Sequence, residues 1–323
     1  MKPRKYNILF LLGFICFYSC TLIHDTVEDE GIDPTLVKVY IAFTLPEDAF
    51  SIPDTPSDET PANTRYTFEV TPKVMKMKGD TTRQSVFITS TPLTQGDTLT
   101  FPVKISPAEN NIRVWVDHIP AENTSASYYN TCKLSSVTVT TPYRGNTNQK
   151  IAFAGSLDID LTRFKGQEYA ETVVPLELTS PFGTFRVLTT DYRQYIRDHS
   201  GIVPIKVEIK YRNYYPCGYH VGNQCANLND FKTNISFTGE LTEQSDHSAL
   251  IAYDHVFVSS DQPDIAIDLF FYSADGTLIQ KVKNILVPIE RGKLTTISDN
   301  FLTQEFQDPD ESGGTSFISL FGR

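Results

Sequence analysis

The sequence predicts an all-β protein made of two tandem antiparallel β-sandwiches with Greek-key connections. Short runs alternate apolar and polar residues along most of the chain. Turn-forming residues separate these runs at short intervals, and helical periodicity is nearly absent. Hydrophobic residues make up 40% of the 323 positions, enough for a substantial core. That length holds two domains of ordinary size.

The chain opens on Lys2, Arg4 and Lys5, continues through an apolar run from Ile8 to Phe17, and reaches Tyr18-Ser19-Cys20. A basic start, a short apolar stretch and a small residue before Cys make a lipoprotein signal over residues 1–19. The run is too short to span a bilayer as a helix. Cys20 then becomes an acylated N-terminus that ties the protein to a membrane. An ordinary cleaved signal with a chance cysteine is the alternative. Residues 20–34 carry Asp25, Glu28, Asp29, Glu30 and Asp33 and read as a solvated acidic tether. Removing residues 1–19, with three positive charges and no negative ones, takes the net charge from −11 to −14. So acidic a body repels nucleic acid and anionic lipid surfaces, which leaves the acyl chains as the membrane attachment.

The first sandwich is expected over residues 35–170. It begins with Val37, Val39, Ile41, Phe43 and Leu45, which alternate with Lys38, Tyr40, Ala42 and Thr44. The same rule holds for Tyr66, Phe68 and Val70, for Ile112, Val114 and Val116, and for Val137 and Val139. Polar residues around Lys165 to Thr172 suggest a boundary, and patterning restarts at Val173-Val174-Pro175-Leu176. The second sandwich is expected over 171–308, with Phe185 to Leu188, then Ile205, Val207 and Ile209, then Ile235 and Phe237, then Ile265, Ile267 and Leu269. One short helix is expected at Asp191 to Arg197, capped by Thr189 or Thr190. Ser273 to Gly276 reads as a hairpin turn. No sequence repeat is evident, so any similarity between the halves lies in fold alone.

Residues 309–323 form a C-terminal tail. An acidic and glycine-rich linker there precedes Phe317, Ile318 and Leu320, which suit either a strand donated to a neighbour or a last strand of the second sandwich.

Of the five cysteines, Cys16 leaves with the signal. The exported setting favours a disulfide between Cys217 and Cys225, leaving Cys132 unpaired and buried. Tyr211, Tyr214, Tyr215 and Tyr219 with His220 either present rings to a glycan or partner, or cover a sandwich end. Trp115 reads as core. His118, His220 and His255 match no metal-ligand spacing, Asp158 and Asp160 lack the glycine of a dedicated calcium loop, and no nucleophile elbow or phosphate-cradling loop occurs. The residues therefore nominate no cofactor, metal or catalytic set, and a non-enzymatic role is expected.

A series of segments in this order resembles the fimbrillin superfamily of Bacteroidales. It runs through Gly31-Ile32-Asp33-Pro34-Thr35-Leu36-Val37, Arg65-Tyr66-Thr67-Phe68-Glu69-Val70, Ile112-Arg113-Val114-Trp115-Val116-Asp117, Tyr128-Tyr129-Asn130-Thr131 and Pro142-Tyr143-Arg144-Gly145-Asn146. It continues through Val287-Pro288-Ile289-Glu290-Arg291-Gly292-Lys293-Leu294-Thr295-Thr296-Ile297 and ends with Asn300-Phe301-Leu302-Thr303. No single segment is specific; their order is. The resemblance implies two transthyretin-like sandwiches and a cell-surface lipoprotein subunit of a fimbrium (pilus), lipidated at Cys20 with palmitate among its acyl chains. It also implies partners that are other fimbrial subunits, an adhesive role toward host or bacterial surface ligands, and assembly by strand donation. In such shafts an Arg-specific protease removes the first strand. Here Val37, Val39, Ile41, Phe43 and Leu45 would form the exchangeable strand, Phe317, Ile318 and Leu320 a donor, and Arg65 a cleavage position. An ordinary strand-edge charge is the other reading of Arg65. A surface glycan-binding lipoprotein with tandem sandwiches is the alternative function.

Overall fold

The computed structural model describes residues 35–46, 62–73, 82–90, 98–121, 127–199, 202–212, 215–227, 231–259 and 264–305. The signal, Cys20, the 20–34 tether, Tyr214 and the 309–323 tail lie outside them.

The fold is all-β. The first half contains β1 (Val37–Thr44), β2 (Ala62–Pro72), β3 (Arg83–Thr89), β4 (Thr98–Ile105), β5 (Glu109–Pro120), β6 (Tyr129–Asn130), β7 (Val137–Val139), β8 (Ala152–Asp160) and β9 (Glu171–Pro175). The second half contains β10 (Phe182–Thr189), helix α1 (Tyr192–Asp198), β11 (Pro204–Tyr211), β12 (Tyr215–Pro216), β13 (Gly218–His220), β14 (Cys225–Ala226) and β15 (Phe231–Lys232). It closes with β16 (Ser236–Glu240), β17 (Thr242–Glu243), β18 (Ala249–Phe257), β19 (Asp264–Ser273), β20 (Leu278–Pro288) and β21 (Leu294–Asp299).

The halves repeat one topology. In the first, a sheet ordered β4-β1-β9 faces one ordered β3-β2-β5-β8. In the second, β18-β10-β21 faces β16-β11-β19-β20, with β17 added at the β18 edge. β1 and β10 hold the same place: each is flanked by an antiparallel strand and a parallel one. The two parallel pairs, β1 with β9 and β10 with β21, depart from the purely antiparallel expectation. They join the opening and closing strands of each sandwich, and the intervening strands supply the long crossover that parallel pairing needs.

β9 moves the boundary. Patterning placed Val173-Val174-Pro175 at the start of the second half, but those residues pair with Tyr40 to Ala42. Leu176 and Leu178 also belong to the first core, and the strands of the second half begin with β10 at Phe182. The first core gathers Val37, Val39, Ile41, Phe43, Phe68, Val114 and Phe153. Prolines sit where a missing N–H is tolerated: Pro102 on edge strand β4 and Pro175 on edge strand β9.

The Ser273 to Gly276 turn forms as expected, with Gly276 at φ +84° and its N–H donating to the Ser273 carbonyl. The helix also forms, but its cap differs. Asp191, not Thr189 or Thr190, is the N-cap residue, and its carboxylate makes no capping bond. It accepts instead from the Thr189 hydroxyl at 2.5 Å and from the Thr303 backbone N–H at 2.6 Å, tying the helix start to the chain after β21.

Candidate functional site

Sheet alternation decides the site. Along β1, Val37, Val39, Ile41 and Phe43 point into the core and Leu45 continues that face; none is more than 3% exposed. Phe43 stacks on Phe101, with centroids 5.8 Å apart, and meets Phe68 at 6.4 Å. The backbone is held on both sides. Every residue from Val37 to Thr44 is in register with β4, and Lys38 to Ala42 are in register with β9. The Lys38 N–H donates to the Ala170 carbonyl, and the Leu176 N–H to that of Ala42. Burial of five apolar side chains contributes on the order of 10 kcal/mol, an upper estimate. Removing β1 would leave an apolar trough between two strands whose inner backbone groups lack partners.

Arg65 is neither at a strand edge nor in the preceding loop. It is the fourth residue of β2, opposite Ile88 on one side and Asp117 on the other. Its guanidinium clasps Asp117 through two bonds of 2.9 and 2.6 Å, and donates to the Tyr129 carbonyl at 3.1 Å. Asp117 is fully buried. A protease needs a free extended segment, and a strand paired on both sides does not offer one. Arg113 and Glu69 make a second ion pair on the same face at 2.7 Å, and Glu69 also accepts from the Leu134 N–H at 2.8 Å.

This outer face of the first sandwich is covered by a small sheet ordered β14-β13-β7-β6, which joins strands from both halves. Gly218 pairs with Thr138 and Tyr219 with Val137. Trp115 is core, as expected, but it belongs to the second half's cluster: its ring meets Tyr129 at 5.3 Å, Tyr219 at 6.0 Å and Phe257 at 6.2 Å.

The same sheet overturns the cysteine expectation. Its ladder sets His220 opposite Cys225 and Tyr219 opposite Ala226. Cys217 lies three positions from His220, about 10 Å along the strand and on the opposite face. That exceeds disulfide reach, and no bond joins the two. Cys132 is exposed rather than buried. Tyr211, Tyr215 and Tyr219 are at most 4% exposed, so these rings pack inside and offer no platform to a glycan. Asp158 is held by Asn111 and Lys73, and Asp160 accepts from the Thr162 N–H.

Sequence reasoning missed a buried polar knot at the junction. Lys150, just before β8, places Nζ 2.5 Å from Asp254 Oδ1 on β18, with side chains 2% and 0% exposed. Tyr143 and Tyr211 both donate to Asp254 Oδ2. Burial lowers the Lys150 pKa against the opposing pull of Asp254, and raises those of Tyr143 and Tyr211 well above the phenol range. One signal was available: Asp254 is an acid within the apolar run Leu250-Ile251-Ala252-Tyr253, and a buried acid calls for a partner.

The model of a family described as Family of unknown function (DUF6562) matches residues 33–310. The chain belongs to this family. No curated protein matches it. Among solved structures, it is similar to the fimbrial anchor protein Mfa2 from Porphyromonas gingivalis, at 12% identity and a TM-score of 0.43, over 77% of this chain and 82% of that one. It is also similar to the C-terminally truncated tip fimbrial protein Mfa3 from the same organism, at 13% identity and a TM-score of 0.35, over 76% and 81%.

Proposed function

We propose that the protein is a structural subunit of a cell-surface fimbrium, in an anchor or assembly role, that joins its neighbours by exchanging β-strands. The observation that carries this reading is β1. One eight-residue strand fills the centre of a three-stranded sheet, and its whole apolar face is buried. It connects to β2 through residues 45–61, a stretch rich in Pro, Asp, Ser and Thr. A strand of equal pattern from another subunit can occupy the same trough, gaining the same hydrophobic burial and backbone ladder. The short apolar segment Phe317-Ile318-Ser319-Leu320-Phe321 is the candidate donor in this chain. Acylation at Cys20 would hold the assembly on the outer membrane, and the acidic tether would lift it clear of the lipid. Arg65 is locked in β2, so a cut at that position is disfavoured.

Surface material run on a gel without boiling tests the proposal. SDS-resistant multimers containing this chain are expected, and they should vanish on deletion of residues 309–323 while the monomer stays folded. A lone monomer band from intact cells contradicts it.

A further inference from the structure

The buried contact between Lys150 and Asp254 has the parts of a condensation site. The amine and the carboxyl come from different halves of the chain, 104 residues apart, and meet in an interior walled by Tyr143, Tyr211 and Tyr215. Each carboxyl oxygen has its own donors. Oδ1 accepts from the His255 backbone N–H at 2.8 Å, and Oδ2 from the hydroxyls of Tyr143 and Tyr211. Lys150 Nζ in turn donates to the Tyr143 hydroxyl at 2.7 Å. Tyr143 therefore bridges the amine and the far carboxyl oxygen.

We infer that Lys150 and Asp254 form an autocatalytic isopeptide bond that covalently clamps the two sandwiches together. In water an ammonium and a carboxylate stay ionised. Burial lowers the Lys150 pKa and so favours its neutral amine, the nucleophilic form. A proton passes from Lys150 Nζ to the Tyr143 oxygen while the Tyr143 proton passes to Asp254 Oδ2. The amine lone pair then attacks Cγ, and the developing negative charge on Oδ1 is held by the His255 N–H. Nitrogen gives up a second proton through Tyr143 to Oδ2, the Cγ–Oδ2 bond breaks, and Oδ2 departs as water. One C–N bond forms, one C–O bond breaks, and no oxidant or activated donor is required. The surrounding phenols keep their protons, since burial raises their pKa values. Held at contact distance, the pair gains the effective concentration of an intramolecular reaction.

Peptide mapping of the full chain, folded, then denatured and digested, decides the matter. The expected product is a branched peptide joining the Lys150 and Asp254 segments, lighter than the separate peptides by one water. Lys150→Met should yield only linear peptides. Tyr143→Phe, checked for a native β-sheet spectrum, should slow formation of the branch about a hundredfold. Recovery of unlinked Lys150 and Asp254 peptides from folded wild-type protein overturns the inference. So does linkage at an undiminished rate in a folded Tyr143→Phe variant.

Discussion

Individual residues show where strand patterning stops being informative. Arg65, Glu69, Arg113 and Asp117 occupy the polar positions of β2 and β5, which alternation assigns to solvent. The faces were legible; the covering of the outer face was not, because the strands that cover it come from elsewhere in the chain. A buried ion pair that loses one partner leaves an unmatched charge, costing about 3–5 kcal/mol. Asp117→Ala should therefore lower the urea-unfolding free energy by that amount, and a loss below about 1 kcal/mol would mean the pair is effectively solvated. His255 carries a pH signature. Burial, with the Lys150 charge second, pushes its pKa down from 6.5 to about 3, and its Nδ1 lies 2.9 Å from the Thr184 hydroxyl. Between those values the unfolded chain binds a proton that the native chain does not. The stability tied to neutral His255 is complete above pH 6.5 and drains away as pH falls toward 3, at about 1.4 kcal/mol per pH unit. Unfolding free energies measured from pH 7 down to 4 should show this slope diminished in His255→Gln; an equal slope in both proteins contradicts it.

Elements differ in how plainly the sequence announces them. β1, β2, β5 and β11 were readable because one face of each is apolar and the other polar. β18 was not, since all nine of its residues are buried and alternation disappears. The parallel place of β9 was equally hidden, because a period of two says which face is buried and nothing about neighbour direction. β1 was thus legible as a strand, while its central position between β4 and β9 came only from the fold. Ile41 sits at the middle of that strand, fully buried. Ile41→Asp puts an unpaired charge into the trough and should cost about 4 kcal/mol or more. Chemical denaturation reads this directly. A variant as stable as wild type would mean that β1 does not occupy its trough in solution.

The whole molecule is one topology used twice without a repeated sequence, then fastened across the middle. A four-stranded sheet shared by both halves, Trp115 inside the second half's aromatic cluster and the Lys150–Asp254 contact all bridge the sandwiches. Coupling on that scale predicts a single cooperative unfolding transition followed by tryptophan fluorescence and by far-ultraviolet circular dichroism, with coincident midpoints. Two separated transitions would show that the halves are independent.

The replaceability of β1 is tested most directly by trading it. The full chain is cut at a protease site inserted between residues 47 and 61, and a labelled peptide spanning residues 36–46 is added. Stable uptake of the peptide with release of the native strand is the expected result, and the same peptide carrying Ile41→Asp should fail to enter. A cut chain that never takes up the wild-type peptide, or that takes up both peptides equally, would contradict strand exchange.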